Sequence, residues 1–164
     1  MRILHLMQSA PRIYGAERCI LLEIAALRRR GHDTQAVVVR ETRQGPEGAF
    51  FSDTLRAAGV AVTEVLADGP FSPGLLLRLG TALRGLRRER GDHGETVVHS
   101  HGMKTDILAA LVAPLVRLPL VVEVHGWLRP EDDRRVRVYE ALDKACLRFV
   151  SGTIALSRAY EAEL

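Results

Sequence analysis

Cysteine, lysine and aromatic residues are scarce in this sequence, and each shortage closes off a class of function. There are 2 cysteines, Cys19 and Cys146, far apart and both inside helix-like stretches. They read as small core residues of a reduced, cytosolic protein rather than as a disulfide framework. CxxC and HExxH are both missing, which removes the most specific sequence signatures of a zinc site. Lysine occurs only at Lys104 and Lys144, and aromatics make up 5% of the chain. The interleaved basic and aromatic residues of a single-strand binder are therefore not there, and no nucleic-acid partner is expected. GxGxxG and GxxxxGK[ST] are missing too, which excludes the nicotinamide and P-loop fingerprints, and no GxSxG elbow supports a hydrolase triad. No run approaches the length that spans a bilayer. The opening MRILHLMQSAP is too short in apolar residues, and too soon interrupted, for a signal peptide.

What the sequence does contain is alternation. The 164 residues suffice for one domain with a real core, and 47% hydrophobic with 26% charged residues is an ordinary globular balance. The net charge of +3 comes from arginines that sit at helix ends and on solvated faces. Apolar runs at 3–8, 34–39, 60–66, 96–101, 118–125 and 152–157 read as six strands. Between them lie helical patterns. One starts near Gly15, has Glu17 in its first turn, and ends in Arg28–Arg30 before Gly31. Another opens with Ser72 as N-cap and Pro73 as first residue and carries Leu76, Leu79, Leu83 and Leu86. A third covers 104–113 and should stop at Pro114. A fourth starts at Pro130–Asp133 and presents Val136, Tyr139, Leu142, Cys146 and Phe149. The stretch 40–48 reads as a loop, and 50–59 as a short helix. Short strands that are apolar on both faces indicate a parallel sheet covered on both sides. The expected fold is α/β, a doubly wound, Rossmann-like parallel sheet in the order 3-2-1-4-5-6, forming one domain over 1–164.

Two apolar runs end alike, in His101-Gly102 and in His125-Gly126. In the assumed order, strands one, four and five are neighbours, and ligands of such sheets bind beyond their carboxyl ends. The loop SAPRIYGAE, the segment HSHG and the segment EVHGW therefore open onto one crevice. Glycine after each histidine allows a sharp turn and close backbone approach. The helix that begins at Gly15 offers free N–H groups to an anion. His99, His101 and His125 could supply metal ligands with Glu123 or Asp106 nearby, but HxH on a strand is a loose pattern, and no metal is assigned. Glu123, one pleat back along its strand, is expected to point away from His101.

The stretches MRILHLMQSAPRIYGAERCILLEIAALRRRGHD, TVVHSHGMKTDILAALVA, LVVEVHGW and YEALDKACLRFVSGTIALS, in this order, resemble the N-terminal domain of the large retaining glycosyltransferase family with the GT-B fold, group 1 or family four. The resemblance runs over nearly the whole chain. It implies transfer of a sugar, of hexosyltransferase type, from a nucleotide-diphosphate sugar to a glycan or lipid-linked acceptor, with no further cofactor. It implies that this domain is the acceptor side. Gly15 and Ala16 would lie at the donor diphosphate. His125 would orient the donor sugar and stabilise developing charge. His101, His99, Lys104 and Trp127 would line the acceptor site.

Two departures stand out: Tyr14 occupies a position where the family often has a glycine, and Ser151-Gly152 replaces an acidic residue often found before the last strand. The family's C-terminal nucleotide-sugar domain, with its Glu-x7-Glu motif, is expected to be a missing partner of this chain, which alone would be inactive. The reading from another class is a non-catalytic binding or adaptor module that pairs with a separate catalytic subunit. The helix over 78–90 sets a leucine stripe beside Arg84, Arg87, Arg88 and Arg90. This leaves peripheral contact with an anionic membrane open, against the competing reading that the stripe packs on the sheet.

Overall fold

The computed structural model of the chain describes residues 1–69, 71–89, 95–124 and 134–161. The apolar runs form one six-stranded sheet in the order β3-β2-β1-β4-β5-β6. Its strands are β1 (Arg2–Gln8), β2 (Asp33–Glu41), β3 (Ala61–Ala67), β4 (Thr96–His101), β5 (Leu120–Val124) and β6 (Gly152–Ala155). Every pairing is parallel. Parallel strands need crossovers, which the helices supply: α1 (Gly15–Arg29), α2 (Phe50–Ala57), α3 (Pro73–Glu89), α4 (Met103–Val112), α5 (Arg134–Cys146) and the short α6 (Arg158–Glu161).

Strand alternation splits the core in two. Leu4, Leu6, Val37, Val39, Val98 and Val122 pack with Leu75, Leu79 and Leu83 of α3 and with Leu108 and Val112 of α4. On the opposite face, Met7, Ala36 and Val38 pack with Ile20 and Ile24 of α1 and Phe51 and Leu55 of α2. Ser72 caps α3 as its sequence indicates, its Oγ accepting from the Leu75 amide at 3.2 Å. The stripe of α3 faces the sheet through Leu75, Leu79, Leu83 and Leu86, with Leu76 at its margin. The leucines offered as a membrane face are thus core residues, and Arg87 donates to the Val116 carbonyl at 2.7 Å. Among the described residues, no helix is long and apolar enough to cross a membrane.

Three expectations change. The stretch expected as a loop forms a 3-10 segment, Thr42–Ala49, broken at Gly45 where φ is +58°, and Ser9 Oγ donates to the Gly48 carbonyl beneath it. Cys19 is exposed and Cys146 half-buried, both as free thiols. The buried stripe of α1 runs through Ile20 and Ile24, which turns Cys19 outward. Finally, α5 is rotated from the expected phase. Asp143 is buried, while Leu142 is exposed and Phe149, just beyond the helix, is 75% exposed. A carboxylate occupies the inward position that Leu142 was expected to fill.

Candidate functional site

The carboxyl ends of β1, β2 and β4 meet at one rim. β4 ends at His101, and Gly102 turns the chain into α4 with φ +118° and ψ 145°, a conformation side chains resist. Its carbonyl then accepts from the Asp106 amide and the Thr105 hydroxyl, both at 2.9 Å. A cavity of about 510 Å³ opens here, bordered by Gln8, Glu41, His101, Lys104 and, from α5, Val136 and Tyr139. Tyr139 is held by Phe71, with ring centroids 5.6 Å apart. In its wall Lys104 Nζ donates to Glu41 Oε1 at 2.7 Å, with side chains only 14% and 7% exposed. Arg43 pairs with the other Glu41 oxygen. The Lys104 hydrogen bond, above all, holds the Glu41 carboxyl below the usual glutamate range. The rim thus offers a fixed cation and anion, an imidazole and a tyrosine.

Beneath the rim lies a histidine cluster. His5 and His99 are register partners on β1 and β4, and His101 stands two residues further along the same face. The His5 and His101 rings stack with centroids 5.3 Å apart, and His5 Nδ1 is 3.1 Å from His101 Nε2. Glu23 comes down from α1, its Oε1 3.0 Å from His99 Nδ1. From β5, Glu123 Oε2 lies 3.0 Å from His101 Nδ1 and 3.5 Å from His99 Nε2. Burial, with His101 next, lowers the His5 pKa to about 3, so this ring is neutral under ordinary conditions. Glu123 does not point away from His101, as expected from counting along its own strand. The two residues are register partners across β4 and β5, and register partners share a face.

Ser100, between the two histidines, faces the other way. On that side Asp106 of α4 and Asp143 of α5 are both buried. Burial, with the neighbouring Asp143 adding to it, pushes the Asp106 carboxyl well above its ordinary range. Asp106, one of the acids considered beside the histidines, is thus separated from them by the sheet.

The sequence-derived candidates are therefore distributed over several places. His101 and Lys104 meet at the cavity. His99 is buried below it and held by two carboxylates. Gly15 is exposed at the start of α1 with Ala16 beside it, and neither borders the cavity. At that helix start the Tyr14 amide donates to Glu17 Oε2 at 2.9 Å, so a carboxylate already sits where an anion would go. His125 and Trp127 lie outside the described residues. The spacing Glu-x7-Glu does occur once, from Glu123 to Glu131, but Glu123 belongs to β5 of this sheet and Glu131 lies outside the described residues. Glu41, His5 and Glu23 were missed. Only His5, a lone polar residue in a buried strand, carries a visible signal.

A family model of the glycosyl transferase 4-like domain matches residues 14–164. No curated protein matches the chain. HepE of Anabaena, solved in complex with UDP, superposes with a TM-score of 0.71 at 22% identity, over 99% of this chain and 39% of that one. The lipopolysaccharide outer core galactosyltransferase WaaB gives 0.65 at 9% identity, over 99% and 41%. UDP-GlcNAc 2-epimerase from Methanocaldococcus jannaschii gives 0.62 at 15%, over 99% and 41%. The chain spans about two fifths of the length of these structures, and the likeness to them is one of fold: a Rossmann-like half of a GT-B architecture. The six-stranded order, the crevice at its carboxyl edge and a family match over all but the first strand and the loop after it make this chain a member of the glycosyl transferase 4-like domain family.

Proposed function

We propose that this chain is the acceptor-binding half of a retaining glycosyltransferase, which moves a sugar from a nucleotide-diphosphate sugar to a glycan or lipid-linked acceptor and is inactive without a C-terminal nucleotide-sugar domain. Glycosyl transfer is the chemistry of the family. The observation that carries the acceptor role is the rim cavity, where Lys104, Glu41 and His101 converge at the carboxyl ends of adjacent strands. A paired cation and anion can hydrogen-bond a sugar's hydroxyls from both sides, with Lys104 donating and Glu41 accepting, while Tyr139 offers an apolar face. His101 takes its place in that lining, and His99 acts from below by sharing Glu123 with it. Support for a nucleotide-sugar donor comes from HepE, which was solved with UDP, with UDP and glucose, and with UDP-glucose. On this reading the start of α1 at Gly15 and Ala16 faces the donor diphosphate, with Glu17 displaced from the Tyr14 amide when the donor arrives. His125 orients the donor sugar, and Trp127 stacks on the acceptor.

The test is kinetic and uses the whole enzyme. Lys104→Ala should raise KM for the acceptor about 10-fold or more, the loss of one charge-assisted hydrogen bond, and leave KM for the donor in place. An unchanged acceptor KM would remove the acceptor assignment. Sustained transfer by the 164-residue chain on its own would remove the claim that it is inactive alone.

A further inference from the structure

We propose that His5, Glu23, His99 and His101 form a four-coordinate site for a divalent transition-metal ion of the zinc class, which ties α1 to β1 and β4. The proposal does not depend on the sugar-transfer reading and can be tested with no sugar present.

Four donor atoms, one from each residue, lie within 4.8 Å of one another. Two of the separations are already short: His5 Nδ1 to His101 Nε2 at 3.1 Å, and His99 Nδ1 to Glu23 Oε1 at 3.0 Å. Donors around a tetrahedral zinc ion, with bonds of about 2.0–2.1 Å, sit ~3.3 Å apart. The two close pairs would open slightly and the wider gaps would close by side-chain rotation around an ion between them. The backbone preorganises the set. Cross-strand register places His5 beside His99, strand alternation puts His101 on the same face, and Glu23 lies on the side of α1 that carries Ile20 and Ile24 toward the sheet.

The decisive feature is Glu123. Its Oε2 lies 3.0 Å from His101 Nδ1 and 3.5 Å from His99 Nε2. In each ring this is the nitrogen opposite the one that faces the cluster. A carboxylate that accepts from the far N–H of a histidine fixes the tautomer, leaves the near nitrogen with its lone pair, and makes it a stronger ligand. This is the arrangement that orients histidines in metal sites. Here one glutamate oxygen stands beside the far nitrogens of two histidines, and side-chain adjustment around an ion would turn both contacts into such hydrogen bonds. Charge points the same way. With neutral imidazoles, Glu23 and Glu123 bring two negative charges into a mostly buried place, and a dication offsets both. Three imidazole nitrogens and one carboxylate suit zinc rather than magnesium or calcium, which take oxygen donors. Four protein donors leave no open position, so the ion would hold α1 on the sheet rather than activate water.

The competing arrangement is a hydrogen-bonded cluster with no ion, in which His5 Nδ1–H donates to His101 Nε2. Cobalt separates the two. Tag-free protein, stripped with chelator and titrated with Co²⁺, should develop the visible absorption of a four-coordinate ion and saturate at one ion per chain. Zinc should displace it and raise Tm. Glu123→Gln, which keeps size but weakens the acceptor, should lower zinc affinity about 10- to 100-fold. Glu23→Gln, on the partly exposed helix, should abolish the visible bands without unfolding the protein, which keeps the test open if His99→Ala fails to fold. No visible band and no Tm shift with excess metal would overturn the site in favour of the ion-free cluster. Binding that survives both Glu23→Gln and His99→Ala would also overturn it, since the ion would then sit elsewhere.

Discussion

On one face of β4, His99 and His101 meet two carboxylates; on the other, Ser100 stands beside two carboxylates that meet each other. The backbone difference is a single residue of alternation, yet the two faces handle buried charge in opposite ways. On the α1 side, Glu23 and Glu123 face imidazole nitrogens that can donate to them. On the α4–α5 side, Asp106 and Asp143 face each other, and burial drives Asp106 toward its protonated form. One cluster sets its carboxylates against imidazole nitrogens. The other reduces its charge by holding a proton. Both lie under the rim where Glu41 and Lys104 form a third arrangement, an ion pair of fixed polarity. Buried polar groups thus gather around the carboxyl end of β4, which is where a parallel sheet presents its ligand site.

The largest effect should follow from unbalancing the first cluster. Glu123→Ala leaves two buried imidazoles without their shared carboxylate, and should lower unfolding stability by about 3 kcal/mol, measured by urea denaturation in chelator so that no metal contributes. A loss below a few tenths of a kcal/mol would mean that the carboxylate is not an essential partner of either ring. Next comes the turn between β4 and α4. Gly102 has open space where a Cβ would go but a φ of +118°, so Gly102→Ala should cost about 2 kcal/mol in backbone strain alone. It should also impair acceptor kinetics, because His101 precedes it and Lys104 follows. Lys104→Met comes third. It should cost about 1.5 kcal/mol by leaving Glu41 with Arg43 alone, and the Glu41 carboxyl should titrate at higher pH when followed by NMR.

How much of this could be read from the sequence depended on whether the signal was local. β4 was legible to the residue, because TVVHSH is an apolar run bounded by turn residues. The Ser72 cap and the α3 stripe followed from spacing. The strand order followed from the right-handed crossover rule rather than from any one residue. The partnership of Glu123 with His101 was hidden, because it depends on register between β4 and β5, and counting pleats along one strand cannot supply that. Glu23 was hidden because a glutamate in an amphipathic helix looks like any solvated charge until the sheet beneath it is known. The phase of α5 misled because Leu142 fits an apolar stripe better than Asp143. The carboxylate is inside, beside the buried Asp106 of α4. The site was therefore legible where one strand or helix carries it, at His101, Gly102 and Lys104, and illegible where three elements must meet.

The smallest effect tests the second cluster, and its sign is the informative part. The folded-state pKa of Asp106 is raised above its ordinary value of 3.8. Above that value the unfolded chain has released a proton that the folded chain still holds, so ν_N exceeds ν_U and stability falls as pH rises. The contribution is complete below about 3.8, declines by at most about 1.4 kcal/mol per pH unit, and levels off above the raised pKa. Glu41 runs the other way. Its folded pKa is lowered, so its contribution is full above the ordinary glutamate value and is lost as pH falls. Asp106→Asn replaces the protonated carboxyl with a neutral group of the same shape. It should remove the downward slope and leave the variant more stable than the parent at neutral pH by about 1 kcal/mol, while Lys104→Met weakens only the acid-side dependence, since Arg43 still pairs with Glu41. If Asp106→Asn instead destabilises the protein at neutral pH and keeps the slope, then Asp106 is ionised in the fold. The two faces of β4 would in that case not differ in how they hold charge.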